Sequence, residues 1–164
     1  MTMNIFKQSL ATETSSIAGA CGNLILRVCV GLMIFYIHGW HKLHDGLAFL
    51  NNGTPWKLAE EVAEMGFPMP VPSAFAATTV QFVCSLMLIF GLFTRLNALF
   101  LTGTLSVAIL QNLLAHRDPQ LAILYTLVVL AMMFLGGGRY SLDAKLVSRN
   151  IVPSSGLPKP KPTM

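Results

Sequence analysis

Four apolar runs, each long enough to cross a bilayer, make up about half of this 164-residue chain. A hydrocarbon core of about 30 Å calls for roughly 17–25 apolar residues in a helix. The runs from about Ala20 to His41, from Pro72 or Ser73 to Gly91, from Leu96 to about Leu114, and from Asp118 to Leu135 meet that length. In lipid every backbone N–H and C=O must be satisfied within the segment, so such runs become helices. Packed together in water, four helices with so little polar surface would have nothing to keep them soluble. The expected fold is therefore all-α, an integral membrane four-helix bundle. Residues 20–146 form the membrane domain, flanked by cytoplasmic segments 1–19 and 147–164, the latter a flexible tail.

Only 11% of residues are charged, against about 25% in soluble domains, and the mean hydropathy is +0.62. The net charge of +4 comes partly from Arg139, Lys145, Arg149, Lys159 and Lys161. Following membrane-length helices, these cations suit anionic lipid headgroups, so membrane lipid is the expected partner and nucleic acid is not. With four spans both termini share one side, together with Lys7, Arg95, Arg139, Lys145 and Arg149. The other side carries Lys42, Lys57 and Arg117 among Asp45, Glu60, Glu61, Glu64 and Asp118. The positive-inside rule then places both termini in the cytoplasm of a multi-pass protein of the bacterial plasma (inner) membrane. Ala18-Gly19-Ala20 imitates a cleavage site, but Lys7, Gln8, Thr12 and Glu13 stand where a signal needs its apolar core, so the first span is expected to be retained.

The longest polar interval, Asp45 to Met69, holds one further element. Thr54-Pro55-Trp56 reads as a helix start, and Leu58, Val62 and Met65 recur at helical spacing while Glu60, Glu61 and Glu64 take other angles. A short extracytoplasmic amphipathic helix over Lys57 to Met65, lying against the bundle mouth or the interface, is predicted. The stretch Phe67 to Pro72 reads as a stiff extended connector, and Pro153 to Met164 as a mobile tail.

Polar residues inside the spans are the candidates for function. At 100° per residue, Arg27, Gly31, Ile34, His38, Lys42 and Asp45 fall on one stripe of the first helix. Arg27 and His38 are about 16 Å apart by helical rise, so they form two stations rather than one pair. Two accounts are open at this point. Arg27 snorkels to inner-leaflet phosphate and His38 makes a fixed interhelical hydrogen bond; or the stripe serves a redox site for a quinone. In the second account His38 or His41 moves protons, since histidine titrates near neutral pH, and Arg27 is an electrostatic anchor that stays charged.

Gln81 in the second span, Gln111 in the third and Tyr125 in the fourth reach similar depths, so His38, Gln81, Gln111 and Tyr125 can line one outer pocket. No metal site is expected. His38 and His41 stand one turn apart without an intramembrane carboxylate or cysteine beside them, which leaves only the more distant His116 to join them. Cys21, Cys29 and Cys84 show no CxxC spacing and are read as small buried apolar side chains.

Several blocks occur in a fixed order. They are Arg27 with Gly31, Leu32, Phe35, His38, Gly39 and His41-Lys42-Leu43; Gly66-Phe67-Pro68 with Pro70; Gly91-Leu92-Phe93-Thr94-Arg95; and Gly138-Arg139-Tyr140-Ser141-Leu142-Asp143. Covering about Leu24 to Leu146, this pattern resembles the DoxX family of small four-span membrane proteins. The resemblance implies a membrane subunit, accessory in kind, of a respiratory or thiol-oxidising oxidoreductase complex with other membrane or redox subunits as partners. It also admits a quinone-reducing subunit. A small-solute or lipid transporter is the reading from a different class, since a polar bundle interior also makes a path. The chain has Trp40-His41 where such proteins often carry Gln between Gly39 and Lys42. In the last block Ser141 is placed to cap a helix, and Asp143 to neutralise Arg139 or Arg95.

Overall fold

The computed structural model describes residues 17–151. Most of the N-terminal segment and the tail expected from Pro153 onward lie outside the described residues. The elements are α1 (Ile17–Asn52), α2 (Lys57–Glu64), α3 (Pro70–Phe90), α4 (Thr94–Leu114), α5 (Gln120–Leu135) and α6 (Leu142–Ile151), with no strand among the described residues. α1, α3 and α4 are each long and apolar enough to cross a membrane, and α5 is a shorter apolar helix of 16 residues. The chain is an all-α membrane bundle. We call the end carrying Arg27 and α6 the closed end, and the end carrying Lys42 and α2 the mouth.

Three boundaries differ from the sequence expectation, each for a physical reason. α1 runs to Asn52 rather than stopping at His41, a helix of 36 residues. At 1.5 Å per residue it measures about 54 Å, so its last turns stand beyond a hydrocarbon layer of about 30 Å. Those turns carry the exposed His44, Asp45, Asn51 and Asn52, and the helix ends at Gly53 with φ +64°. α3 begins at Pro70, so Pro70-Val71-Pro72 is its first turn rather than an extended connector; first-turn N–H groups have no intrahelical partner, and proline lacks one. α5 begins at Gln120 rather than at Asp118, whose Oδ1 accepts from the Gln120 N–H at 2.9 Å just ahead of the helix.

α4 and α5 pack antiparallel along their lengths, and α1 packs on the inner half of α3. α1 contains a π-helical stretch, Ile34–Trp40, and α3 another, Val80–Cys84; the two face each other. Ser85 Oγ donates towards the Gln81 and Phe82 carbonyls, satisfying backbone in the second stretch. The crossing is close. A Cβ on Gly39 would lie 3.1 Å from Phe82 Cα and 3.2 Å from Phe82 N, backbone atoms that cannot step aside. Gly39→Leu is therefore expected to destabilise by about 3 kcal/mol, seen as a lower midpoint in thermal denaturation of the detergent-solubilised protein. Gly22→Leu is the control, because a Cβ at Gly22 meets nothing within 4 Å.

The surface is inverted relative to a soluble bundle. Tyr36, Phe100, Leu124, Leu127 and Phe134 are exposed, whereas Asn23, Arg27, Gln81, Ser85, Asn97 and Asp143 are buried. Apolar outside and polar inside is the arrangement lipid demands. Exposed hydroxyls on α4 turn back onto their own helix, as Thr104 Oγ1 to Phe100 O at 3.0 Å and Ser106 Oγ to Thr102 O at 2.8 Å. Cys21 and Cys29 lie on the exposed face and Cys84 is buried, which corrects the expectation of three buried thiols.

Candidate functional site

Polar side chains gather at both ends of the bundle, for different purposes. At the closed end Arg27 is only 1% exposed. Its Nη1 donates to the Gly137 carbonyl and its Nη2 to the Tyr140 carbonyl at 3.1 Å. Beside it Asn23 Nδ2 donates to Gly136 O at 3.1 Å. The chain after α5 can wrap these donors because Gly136 and Gly138 take φ +73° and +75°, values that disfavour any side chain. Ser141 caps α6 as expected, its Oγ accepting from the Ala144 N–H at 3.1 Å. Asp143 has a role not foreseen in the sequence. It caps α4, accepting from Phe93 N–H at 2.7 Å, Thr94 N–H at 3.0 Å and Thr94 Oγ1 at 3.1 Å, and its own N–H donates to Gly91 O at 3.0 Å. Three separated sequence blocks thus meet in one knot. Arg27 does not snorkel to lipid; it ties α1 to the turn after α5.

At the mouth, four of the six sequence candidates share one chamber. His38, Gln81, Gln111 and Tyr125 line a cavity of about 280 Å³, joined by Lys42, Glu61 and Arg117. Helix periodicity accounts for the convergence. His38 and Lys42 are one turn apart on α1, Gln81 projects from the π-helical stretch of α3, and Tyr125 sits on α5 with its ring edge-on to His38, centroids 5.8 Å apart. The amphipathic α2 forms the roof. Its Glu61 accepts from Gln111 Nε2 and pairs with Arg117 Nη2 at 2.7 Å, and it lies within electrostatic reach of Lys42. A second apolar cluster holds this roof in place: Trp56 is 2% exposed, stacked between Phe49 at 6.1 Å and Phe75 at 4.5 Å, with Leu58, Ala59 and Val62 behind it.

His41 does not join the chamber; its side chain is exposed on another face of α1. Arg27 is at the opposite end. Lys42 and Glu61 also line the chamber and were not among the candidates selected from the sequence. The signal was present: Lys42 follows His38 by four residues, and Glu61 falls between Leu58 and Val62 on the apolar edge of α2. Among the described residues no three His, Cys, Asp or Glu side chains gather in a metal-binding group, so His38, His41 and His116 do not assemble into one.

Two atoms define what the chamber can do. Gln81, 1% exposed, has its Oε1 buried without a hydrogen-bond partner, and Tyr125, 4% exposed, has its OH in the same condition. A buried polar atom left unpaired costs about 1–3 kcal/mol, so a ligand or water that pairs with it is favoured. One atom is a pure acceptor and the other a donor and acceptor, so together they match a ligand that both gives and receives hydrogen bonds. Between chamber and knot lies a dry layer that includes Ile34, Leu88, Leu101, Val129 and Met132.

Compared with known proteins, residues 22–117 match the family model described as DoxX, more than half of the chain. Neither the curated proteins nor the solved structures give a match.

Proposed function

The chain belongs to the DoxX family, and on that premise we propose that it is an accessory membrane subunit of a respiratory or thiol-oxidising oxidoreductase complex whose mouth chamber receives the ring of an isoprenoid quinone. The observation that carries this reading is that Gln81 and Tyr125, each with a buried polar atom that lacks a partner, line one cavity. Pockets for drug-sized ligands run about 300–1,000 Å³, so a chamber of about 280 Å³ suits a single ring.

The residues fit both forms of such a ring. Tyr125 OH donates to a ring oxygen, and Gln81 Oε1 accepts from a ring hydroxyl. A quinone, when bound, supplies reversible two-electron, two-proton chemistry. The chain's part is to hold the ring, exclude water and keep a titratable group beside it. His38 can take up or release a proton at an imidazole nitrogen. Lys42, Glu61 and Arg117 form the charged rim across which protons reach the mouth. Electrons come from a partner subunit.

Charge supports an orientation. Arg27, Arg95, Arg139 and Lys145 cluster at the closed end, while Glu60, Glu61 and Glu64 ride on the roof. The positive-inside rule assigns the closed end to the cytoplasm of the inner membrane and the mouth to the outside. The dry layer and the Arg27 knot block a path from end to end, which favours a binding subunit over a transporter.

Purification in native-lipid discs, followed by quinone analysis, tests the reading. Wild-type protein is expected to retain quinone above its share of the bulk lipid and, with its partner complex, to reduce it in a step slowed about tenfold or more by His38→Ala. Quinone at the bulk-lipid ratio in an intact complex would refute it.

A further inference from the structure

α4 packs closely against the inner and middle parts of α3 but diverges from its outer segment, Pro70–Thr79. The divergence opens a lateral groove of about 370 Å³ beneath α2, with Leu58 and Val62 as its ceiling. Its walls follow helical rows: Ser73, Ala76, Ala77 and Val80 on α3 face Leu99, Gly103, Val107 and Gln111 on α4. From Leu99 to Gln111 the rise is about 18 Å, more than half of a hydrocarbon layer of about 30 Å. The groove adjoins the chamber, with Lys42, Gln81, Ala108 and Gln111 lining both. Its open side faces the surface where Leu99, Phe100 and Val107 are exposed.

Gly103 lies on the α4 wall of this groove. Within a helix, glycine is less stable than alanine by roughly 0.5–1 kcal/mol. Gly31 and Gly39 offset that cost by close helix approach, but a Cβ on Gly103 meets nothing within 4 Å, and Gly103 is not among the glycines with positive φ. With no side chain, Gly103 leaves the α4 wall of the groove open at this point.

We infer that this groove is the seat of the isoprenoid tail, so that the ligand enters sideways from the outer leaflet, ring first, past Gly103 and under α2 into the chamber. The inference rests on the quinone reading of the chamber and adds the tail subsite and the route. Three observations support this occupant. The groove is apolar and lipid-facing along its length. It ends at Gln81, whose buried Oε1 lacks a partner. And α2, held by Trp56, lies over the outer end of the groove.

The test compares two probes in lipid nanodiscs, a long-tailed isoprenoid benzoquinone and its one-prenyl analogue, with half-saturation expressed as mole fraction in the bilayer. Gly103→Phe fills the groove from α4, and Ala76→Phe fills it from α3, in case one variant folds poorly. Both are expected to weaken the long-tailed probe tenfold or more while leaving the one-prenyl analogue and the thermal midpoint unchanged. If both probes bind both variants like wild type, the tail subsite is overturned and the chamber reading stands. If neither probe binds wild type saturably, the chamber reading falls and the tail subsite with it. A diacyl phospholipid retained by wild type in native mass spectrometry, lost from Gly103→Phe and undisturbed by the long-tailed quinone, would assign the groove to lipid and overturn the inference.

Discussion

Replacing Arg27 with leucine is expected to unfold the closed end and lower stability by about 3–5 kcal/mol, the range found when one member of a buried charged interaction is removed. The guanidinium gives its hydrogens to the Gly137 and Tyr140 carbonyls, and it faces the Asp143 carboxylate electrostatically. Leucine leaves the buried Gly137 carbonyl and the part-buried Tyr140 carbonyl without this donor, and leaves the Asp143 charge less balanced. The neighbouring contacts cannot close over the gap, because Gly91 packs directly on the arginine: a Cβ there would sit 2.5 Å from Arg27 Nη1. In fluorescence-detected size-exclusion after a heat step, the midpoint should fall by roughly 10 °C, taking about 2–4 °C per kcal/mol for a chain of this size. Arg27→Lys should recover only part of the loss, since one ammonium cannot reproduce the guanidinium fork. An unchanged midpoint for Arg27→Leu would mean that the knot does not hold the bundle together.

The second large effect has two parts with opposite signs. Gln81→Leu and Tyr125→Phe each remove a buried polar atom that has no partner in the protein alone. Each is expected to leave stability unchanged or raise it by roughly 1 kcal/mol, the cost of an unpaired buried group being lifted. Each is also expected to weaken quinone binding about tenfold or more, which corresponds to about 1.4 kcal/mol per factor of ten. Stability gained while binding is lost is the signature of a site that keeps its polar atoms for a ligand. If either substitution destabilised the ligand-free protein by several kcal/mol, the atom in question would have an internal partner and a structural role. Paired thermal and binding titrations on the same preparations decide between these outcomes.

Much of this was legible in the sequence, and the reasons are particular. Apolar run length alone set out the bundle, because lipid imposes one backbone solution on such segments. The stripe from Arg27 through Ile34 to His38 faces the interior as its 100° spacing requires. The grouping of His38, Gln81, Gln111 and Tyr125 followed from matching their depths in four spans. Depth does not fix helix rotation, however, and His41 shows the limit: three residues from His38, it turns to the outside. The π-helical stretches shift register in ways that regular periodicity does not carry.

Arg27, a lone cation in an apolar run, reads as a functional station in the sequence. Its partners are backbone carbonyls more than a hundred residues away, at Gly137 and Tyr140, and carbonyls leave no mark in a sequence. Glu61 was fainter but legible. Its angle beside Leu58 and Val62 marks it among three glutamates, and its contacts with Gln111 and Arg117 show that it turns inward.

The most direct test of the central claim, that the mouth chamber holds the ring of a quinone, is photo-crosslinking with a benzoquinone carrying its photoreactive group on the ring, in native-lipid discs, followed by peptide mapping. The account predicts labelling on the segments around His38, Gln81 and Tyr125, saturable and displaced by excess unlabelled quinone. Labelling spread over the lipid-facing surface around Tyr36, Leu127 and Phe134, and unaffected by competitor, would contradict it.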